Sequence, residues 1–180
     1  IIPEFYKTND KGRINWTCGL GKSLLSVFIV ERMNYKTVLY GVSSIQLQKQ
    51  IKDEIIKLFP RRENILYVGG DKNRNDYDNI LVASNKEQIK EFLYRKKNKN
   101  YLFPKFIITT YHSCYLLVDN EIQFDLKVGD EAHHLVGSIK EERIKPEERK
   151  NTDKDKNETR RFLLFHFIRS RKTLFMTATE

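Results

Sequence analysis

Five residues near the start of the 180-residue chain, Gly19-Leu20-Gly21-Lys22-Ser23, bring two glycines, a lysine and a hydroxyl together at a spacing suited to a nucleotide's phosphates. In such a turn the backbone N–H groups point inward and the following helix adds its positive end, so glycine is needed where a side chain would block close approach. Lys22 would reach the β and γ phosphates as a mobile point charge, and Ser23 would place its hydroxyl on magnesium. About a hundred residues later stands Asp130-Glu131-Ala132-His133. Asp130 would hold Mg2+ through its water shell, and Glu131 would orient or deprotonate the water attacking the γ phosphate. Neighbouring carboxylates point to opposite faces within a strand, but at a strand's end the backbone can aim both into one crevice. A glycine-lysine-serine triplet alone arises by chance in roughly one chain in ten of this length, and the acidic tetrad in on the order of one in a thousand. The two together, in this order, imply chemistry driven by ATP; separately they read as a glycine turn before a helix and a solvated acidic strand end.

The elements that must position these residues are legible as alternating patterns. Residues 12–18 form an extended stretch into the glycine turn, and 24–30 read as a helix apolar nearly all round, hence buried. Residues 36–42 are rich in strand formers. A helix over about 44–59 follows, with Leu47, Ile51, Ile55 and Leu58 at helical spacing and Ser44 placed to cap it. Further strands are expected at 64–68, 80–83 and 105–110, with a polar loop over 69–79 and a helix over 86–95. Residues 138–160 carry mixed charge, Pro146 and almost no large apolar side chains, so they are expected to form a flexible surface insertion. A last helix at about 161–168 precedes a strand, Leu174-Phe175-Met176, that runs into Thr177-Ala178-Thr179. Because the strands are apolar runs, the alternation argues for an α/β domain with a mainly parallel sheet covered by helices on both faces. Ligands then sit at the carboxyl ends of the strands, where the glycine turn and the acidic tetrad would meet.

Composition narrows the class further. The length fits one domain spanning residues 1–180. The net charge of +9 favours a polyanionic partner such as nucleic acid, although abundant lysine, asparagine and isoleucine would also follow from an AT-rich genome. Cys18 and Cys114 lie far apart, which argues against a disulfide framework or zinc site and suits an intracellular, reducing compartment. No apolar run approaches the roughly 20 residues of a membrane span. The run from Tyr94 to Tyr101 interleaves basic and aromatic residues, but a solvated helix end is the plainer reading, and the same holds for Arg169-Ser170-Arg171-Lys172 at the expected end of the last helix. His112, His134 and His166 show no partner spacing, Tyr111 and Tyr115 read from the residues alone as packing side chains, and none is assigned a catalytic role.

The motifs together resemble the first RecA-like domain of a superfamily 2 helicase or translocase, over nearly the whole chain. Cys18-Gly19-Leu20-Gly21-Lys22-Ser23 matches motif I of that family and Asp130-Glu131-Ala132-His133 matches motif II in its DEAH form. Thr177-Ala178-Thr179 matches motif III, which with His133 the family uses to couple hydrolysis to movement. Val38-Leu39-Tyr40-Gly41-Val42-Ser43, with Leu47 and Gln50, resembles motif Ia, and Ile107-Ile108-Thr109-Thr110-Tyr111 resembles motif Ic. The resemblance implies that Ser43, Gln50, Thr110 and Tyr111 contact nucleic acid. Within the superfamily the motifs lean toward restriction-enzyme translocases and helicases of large DNA viruses, hence toward DNA rather than RNA.

The family completes its ATP site with arginines from a second RecA-like domain, which would follow Glu180. The abrupt start at Ile1 and the stop after an apparent strand suggest a fragment. Such an arginine contributes a factor of about a thousand or more to turnover, so the chain alone is expected to bind Mg-ATP, hydrolyse it poorly and unwind nothing. Three departures stand out. Trp16 occupies a position where the family has glycine or alanine, Ser43 one where it has proline, and no adenine-reading motif is evident in residues 1–11. Trp16 motivates a rival reading, a catalytically silent nucleic-acid-binding module with a decayed phosphate loop. An ATPase that moves protein is a third.

Overall fold

A computed structural model of the chain describes residues 9–17, 19–69, 80–95, 103–135 and 164–178. Among these residues are seven strands: β1 (Lys11–Asn15), β2 (Thr37–Val42), β3 (Ile65–Val68), β4 (Leu81–Ala83), β5 (Lys105–Thr110), β6 (Gln123–Gly129) and β7 (Arg169–Thr177). They form one sheet in the order β1-β7-β6-β2-β5-β3-β4, and every adjacent pair is parallel. Among the described residues three α-helices connect them, α1 (Lys22–Met33), α2 (Ile45–Leu58) and α3 (Lys86–Tyr94), with a further helical turn at 164–167. This is the parallel α/β architecture that the apolar runs imply.

Both faces of the sheet are covered. Val38, Tyr40 and Val42 of β2 pack with Val27 and Val30 of α1 and Ile51 and Ile55 of α2. Leu39 faces the other way, with Ile89 and Phe92 of α3 and with Phe165. Two-sided burial explains why these strands read as continuous apolar runs. The caps also follow local chemistry: Ser44 Oγ accepts from Leu47 N at 3.3 Å, and Asn85 Oδ1 accepts from Gln88 N at 2.9 Å.

The structure departs from expectation in two described elements. Helix α1 starts at Lys22, directly on the glycine turn, and it is open on one side, with Phe28 46% exposed. Strand β7 is nine residues long and absorbs Arg169-Ser170-Arg171-Lys172, which follow the 164–167 helical turn as extended chain and not as part of the helix. Pairing with β6 holds this basic run extended, and β1 joins the other side of β7 only from Thr173 on, while Lys172 reaches Asp10 at 2.8 Å and Arg171 reaches Asp125 at 3.6 Å. The expected insertion at 138–160, most of the 69–79 loop and most of the Tyr94–Tyr101 run lie outside the described residues. Among the described residues, no helix is long and apolar enough to cross a membrane.

Candidate nucleotide site

Because all seven strands run the same way, their carboxyl ends share one edge, and the chemistry-bearing turns gather there. The turn after β1 has Gly19 at φ +83° and Gly21 at φ +75°. A Cβ at either position would meet nothing within 4 Å, so glycine is required by the left-handed backbone, not by crowding. Gly21 caps α1, and its carbonyl accepts from Leu25 N at 2.9 Å. Lys22 is 8% exposed and its ammonium folds back onto the turn, donating to the carbonyls of Trp16 at 2.9 Å and Thr17 at 3.2 Å. Trp16 thus supplies Lys22 with a backbone acceptor, while its own N–H donates to Thr177 O at 3.4 Å and its side chain stays 41% exposed. Cys18 lies outside the described residues.

The acidic turn follows β6. Asp130 is 5% exposed; its N–H donates to Gly41 O at 2.9 Å and its Oδ1 accepts from Glu131 N at 3.0 Å. Burial pushes its carboxyl up to about 6, and the neighbouring Glu131 carboxylate adds to the rise, against the hydrogen bond from Glu131 N–H and the charge of Lys22. Glu131 itself sits at φ +51°, in the left-handed region that glutamate seldom occupies. Its Oε2 lies 3.2 Å from His133 Nδ1, which in turn lies 3.3 Å from Thr177 Oγ1. The acidic turn and the end of β7 are therefore in direct contact through His133. Ala178 adds its carbonyl, which accepts from Thr177 Oγ1 at 3.3 Å, and Thr179 lies outside the described residues.

Glycine turn and acidic turn open into one cavity of about 440 Å³, lined by Gly19, Gly21, Lys22, Ser23, Asp130 and Glu131 on one side and by Leu47, Gln50 and Glu54 of α2 on the other. Its size falls in the range of small-molecule sites. Among the described residues no group of three or more His, Cys, Asp or Glu side chains forms a cage for a metal. A magnesium site of one hydroxyl, one carboxylate, phosphate oxygens and water needs no such cage. Ser23 and Asp130 fit that donor set, since a buried carboxylate that holds its proton up to about pH 6 is a group that a cation would relieve.

The residues expected to contact nucleic acid divide. Ser43 and Thr110 are half-buried at the ends of β2 and β5, on the same edge as the cavity. Thr110 Oγ1 donates to Ser113 Oγ at 3.3 Å, and Gly69, at φ +77°, leaves room for that serine: a Cβ there would lie 1.9 Å from Ser113 Oγ. Gln50 lines the cavity at the glycine turn. For Tyr111 the side chain takes the packing alternative and not the expected contact with nucleic acid. Its side chain is 0% exposed, its hydroxyl donates to Asp130 O at 2.5 Å, and its ring stands edge-on to Phe165, so it cannot reach a strand outside. Gly41 and Gln48, which carry no expectation from sequence, also shape the site: Gln48 Nε2 ties α2 to β5 by donating to Ile108 O at 3.3 Å.

A parallel sheet that brings a phosphate-type glycine turn and an acidic turn to one edge is the RecA-like domain of a superfamily 2 helicase or translocase. The model of the family described as type III restriction enzyme, res subunit, matches residues 1–179, and the chain belongs to that family. It is similar to the probable helicase A859L of African swine fever virus, at 28% identity over 133 residues in the isolate Tick/South Africa/Pretoriuskop Pr4/1996 and 29% over 126 residues in Tick/Malawi/Lil 20-1/1983. The matches cover 73% and 69% of the chain and 14% of each viral protein, so the chain spans only a small part of those relatives' length. Among solved structures, a nuclease-deletion mutant of the Type ISP restriction-modification enzyme LlaGI, in complex with a DNA substrate mimic, superimposes with a TM-score of 0.73 at 20% identity. That match covers 99% of this chain and 16% of LlaGI. The ATP-dependent Type ISP enzyme LlaBIII, bound to DNA, gives the same TM-score and identity over 97% of this chain and 12% of its own. Both likenesses are to the fold.

Proposed function

We propose that this chain is the ATP-binding half of a nucleic-acid-dependent ATPase that couples Mg-ATP hydrolysis to movement on, or unwinding of, DNA. The observation that carries this is the convergence of Lys22, Ser23, Asp130 and Glu131 on one cavity at the mouth of the glycine turn. On ATP binding, Lys22 exchanges two backbone carbonyls for the β and γ phosphates, and the N–H groups at the start of α1 receive the same anion. Ser23 and Asp130 would hold magnesium, which would supply positive charge against the charge developing on the phosphates. Glu131 orients the attacking water, and His133 ties that carboxylate to Thr177 at the end of β7. Ser43 and Thr110 meet a strand's phosphates along the same edge. DNA is the favoured partner because the similar restriction enzymes are seen with DNA. A second RecA-like domain completes the site with arginine, without which turnover is lower by a factor of about a thousand or more. A silent module is less well supported, since the Trp16 carbonyl accepts from Lys22 and the residue is 41% exposed, not packed into the loop's interior.

The test is Mg-dependent binding of a fluorescent ATP analogue at low salt, comparing wild type with Lys22→Ala and Asp130→Ala. Binding lost in both variants, each still folded and unfolding cooperatively, is the expected result. A wild type that binds no nucleotide would refute the proposal.

A further inference from the structure

Strand β2 lies between β5 and β6, yet a side chain leaving the end of β5 reaches the turn after β6. We propose that this residue, Tyr111, is a positioning residue for the acidic turn: it holds the peptide between Asp130 and Glu131 and so sets where both carboxylates point. The proposal rests on the nucleotide-hydrolysis reading above.

The main chain at Tyr111 is tied to β2 by its N–H, which donates to Val42 O at 2.9 Å, and Asp130 is tied to the same strand one residue earlier, by donation to Gly41 O at 2.9 Å. Tyr111's ring then passes over Gly41. A Cβ at Gly41 would lie 2.8 Å from Tyr111 Cε1 and 2.3 Å from Phe165 Cε2, so only glycine leaves this path open. Phe165 stands edge-on to the tyrosine at 5.3 Å and 78°, which fixes the ring's direction. At the far end the hydroxyl donates to Asp130 O at 2.5 Å. Burial raises the phenol well above its ordinary value, so it keeps the proton it donates.

The peptide it grips is pinned from its other side as well, because Glu131 N–H donates to Asp130 Oδ1 at 3.0 Å. Rotation of this one peptide would release Asp130 Oδ1 and carry Glu131 out of its left-handed backbone at φ +51°, and with it the carboxylate 3.2 Å from His133. Glutamate does not hold such a conformation unaided. The hydroxyl of Tyr111 supplies the hold, and it places Thr110, the neighbouring residue on the nucleic-acid edge, one hydrogen bond from the acidic turn.

Tyr111→Phe in the full chain keeps the ring and its contact with Phe165 and removes only the atom that reaches Asp130. Two readouts are compared with wild type: the backbone carbon NMR shifts of Glu131, which report its φ, and single-turnover hydrolysis beside Mg-ATP affinity. The expected result is Glu131 shifts moving toward ordinary backbone values, hydrolysis slowed about tenfold or more, and affinity within about twofold. Unchanged Glu131 shifts, or equal losses in affinity and rate, would overturn the proposal. If wild type binds no nucleotide, the ATPase reading fails by itself, and the Glu131 shifts still decide whether Tyr111 holds the turn.

Discussion

Gly41→Ala tests the packing on which the edge depends, because its sign differs with and without that packing. In an unobstructed strand, replacing glycine with alanine stabilises by roughly 0.5–1 kcal/mol through lost backbone entropy in the unfolded chain. Here the new Cβ would stand 2.3 Å and 2.8 Å from two carbons of Phe165 and 2.8 Å from Tyr111 Cε1, whereas carbon atoms settle at about 3.5–4.0 Å. The phenylalanine ring must therefore retreat by more than an ångström in a core where neither ring is exposed. Overpacking of this kind costs about 1–3 kcal/mol. If Tyr111 is displaced with it, the buried Asp130 carbonyl loses its donor, adding about 1–3 kcal/mol. The net expectation is a loss of about 2–5 kcal/mol, or a fall in melting midpoint of roughly 5–15 °C. Thermal unfolding followed by circular dichroism measures it. Gly129→Ala is the internal comparison: its Cβ would approach Phe175 to 3.1 Å, Leu135 to 3.2 Å and Phe165 to 3.3 Å, which small shifts relieve, so its loss should be the smaller. A Gly41→Ala variant that melts at or above wild type would refute the arrangement of Tyr111 and Phe165 over β2.

Asp130 makes the domain's stability depend on pH in a stated direction. Its folded pKa is raised to about 6 from 3.8, so the folded state keeps the proton longer, and stability present below pH 4 is lost as pH rises to about 6, by at most about 3 kcal/mol. Urea unfolding of wild type against Asp130→Asn should show the difference narrowing or reversing across that window, and parallel curves would count against it. Lys127 is buried in β6 and donates to the carbonyls of Phe165, His166 and Ile168 at 3.1, 3.3 and 2.8 Å, closing the end of the 164–167 helical turn. Lys127→Met keeps the stem and leaves those carbonyls without their donor, so a loss of about 3 kcal/mol in urea unfolding is expected, and a loss below about 0.5 kcal/mol would show that water replaces it.

What could be read from the sequence, and what could not, follows from how local each determinant is. The glycine turn, the Ser44 cap and the apolar runs are set by residues a few positions apart, and the structure places each element within a few residues of its expected bounds. Strand β7 is different: Arg169 to Lys172 look like a solvated helix end because nothing nearby in sequence reveals that β6, more than forty residues earlier, will pair with them. Lys127 carries no signal at all, since a lysine within an apolar run says nothing of the three carbonyls, about forty residues away, that accept from it. Tyr111 is the sharpest case. The strand-end motif correctly places Thr110 at the edge, but the next residue could point outward to a strand or inward to the core with equal local sense. Only the strand order, with β2 between β5 and β6, and the missing side chain at Gly41 turn it inward. That glycine is one residue in an otherwise apolar strand, and from sequence alone its absence of a side chain looks like a small loss of packing. In the folded sheet it is the opening through which the end of β5 reaches the acidic turn after β6.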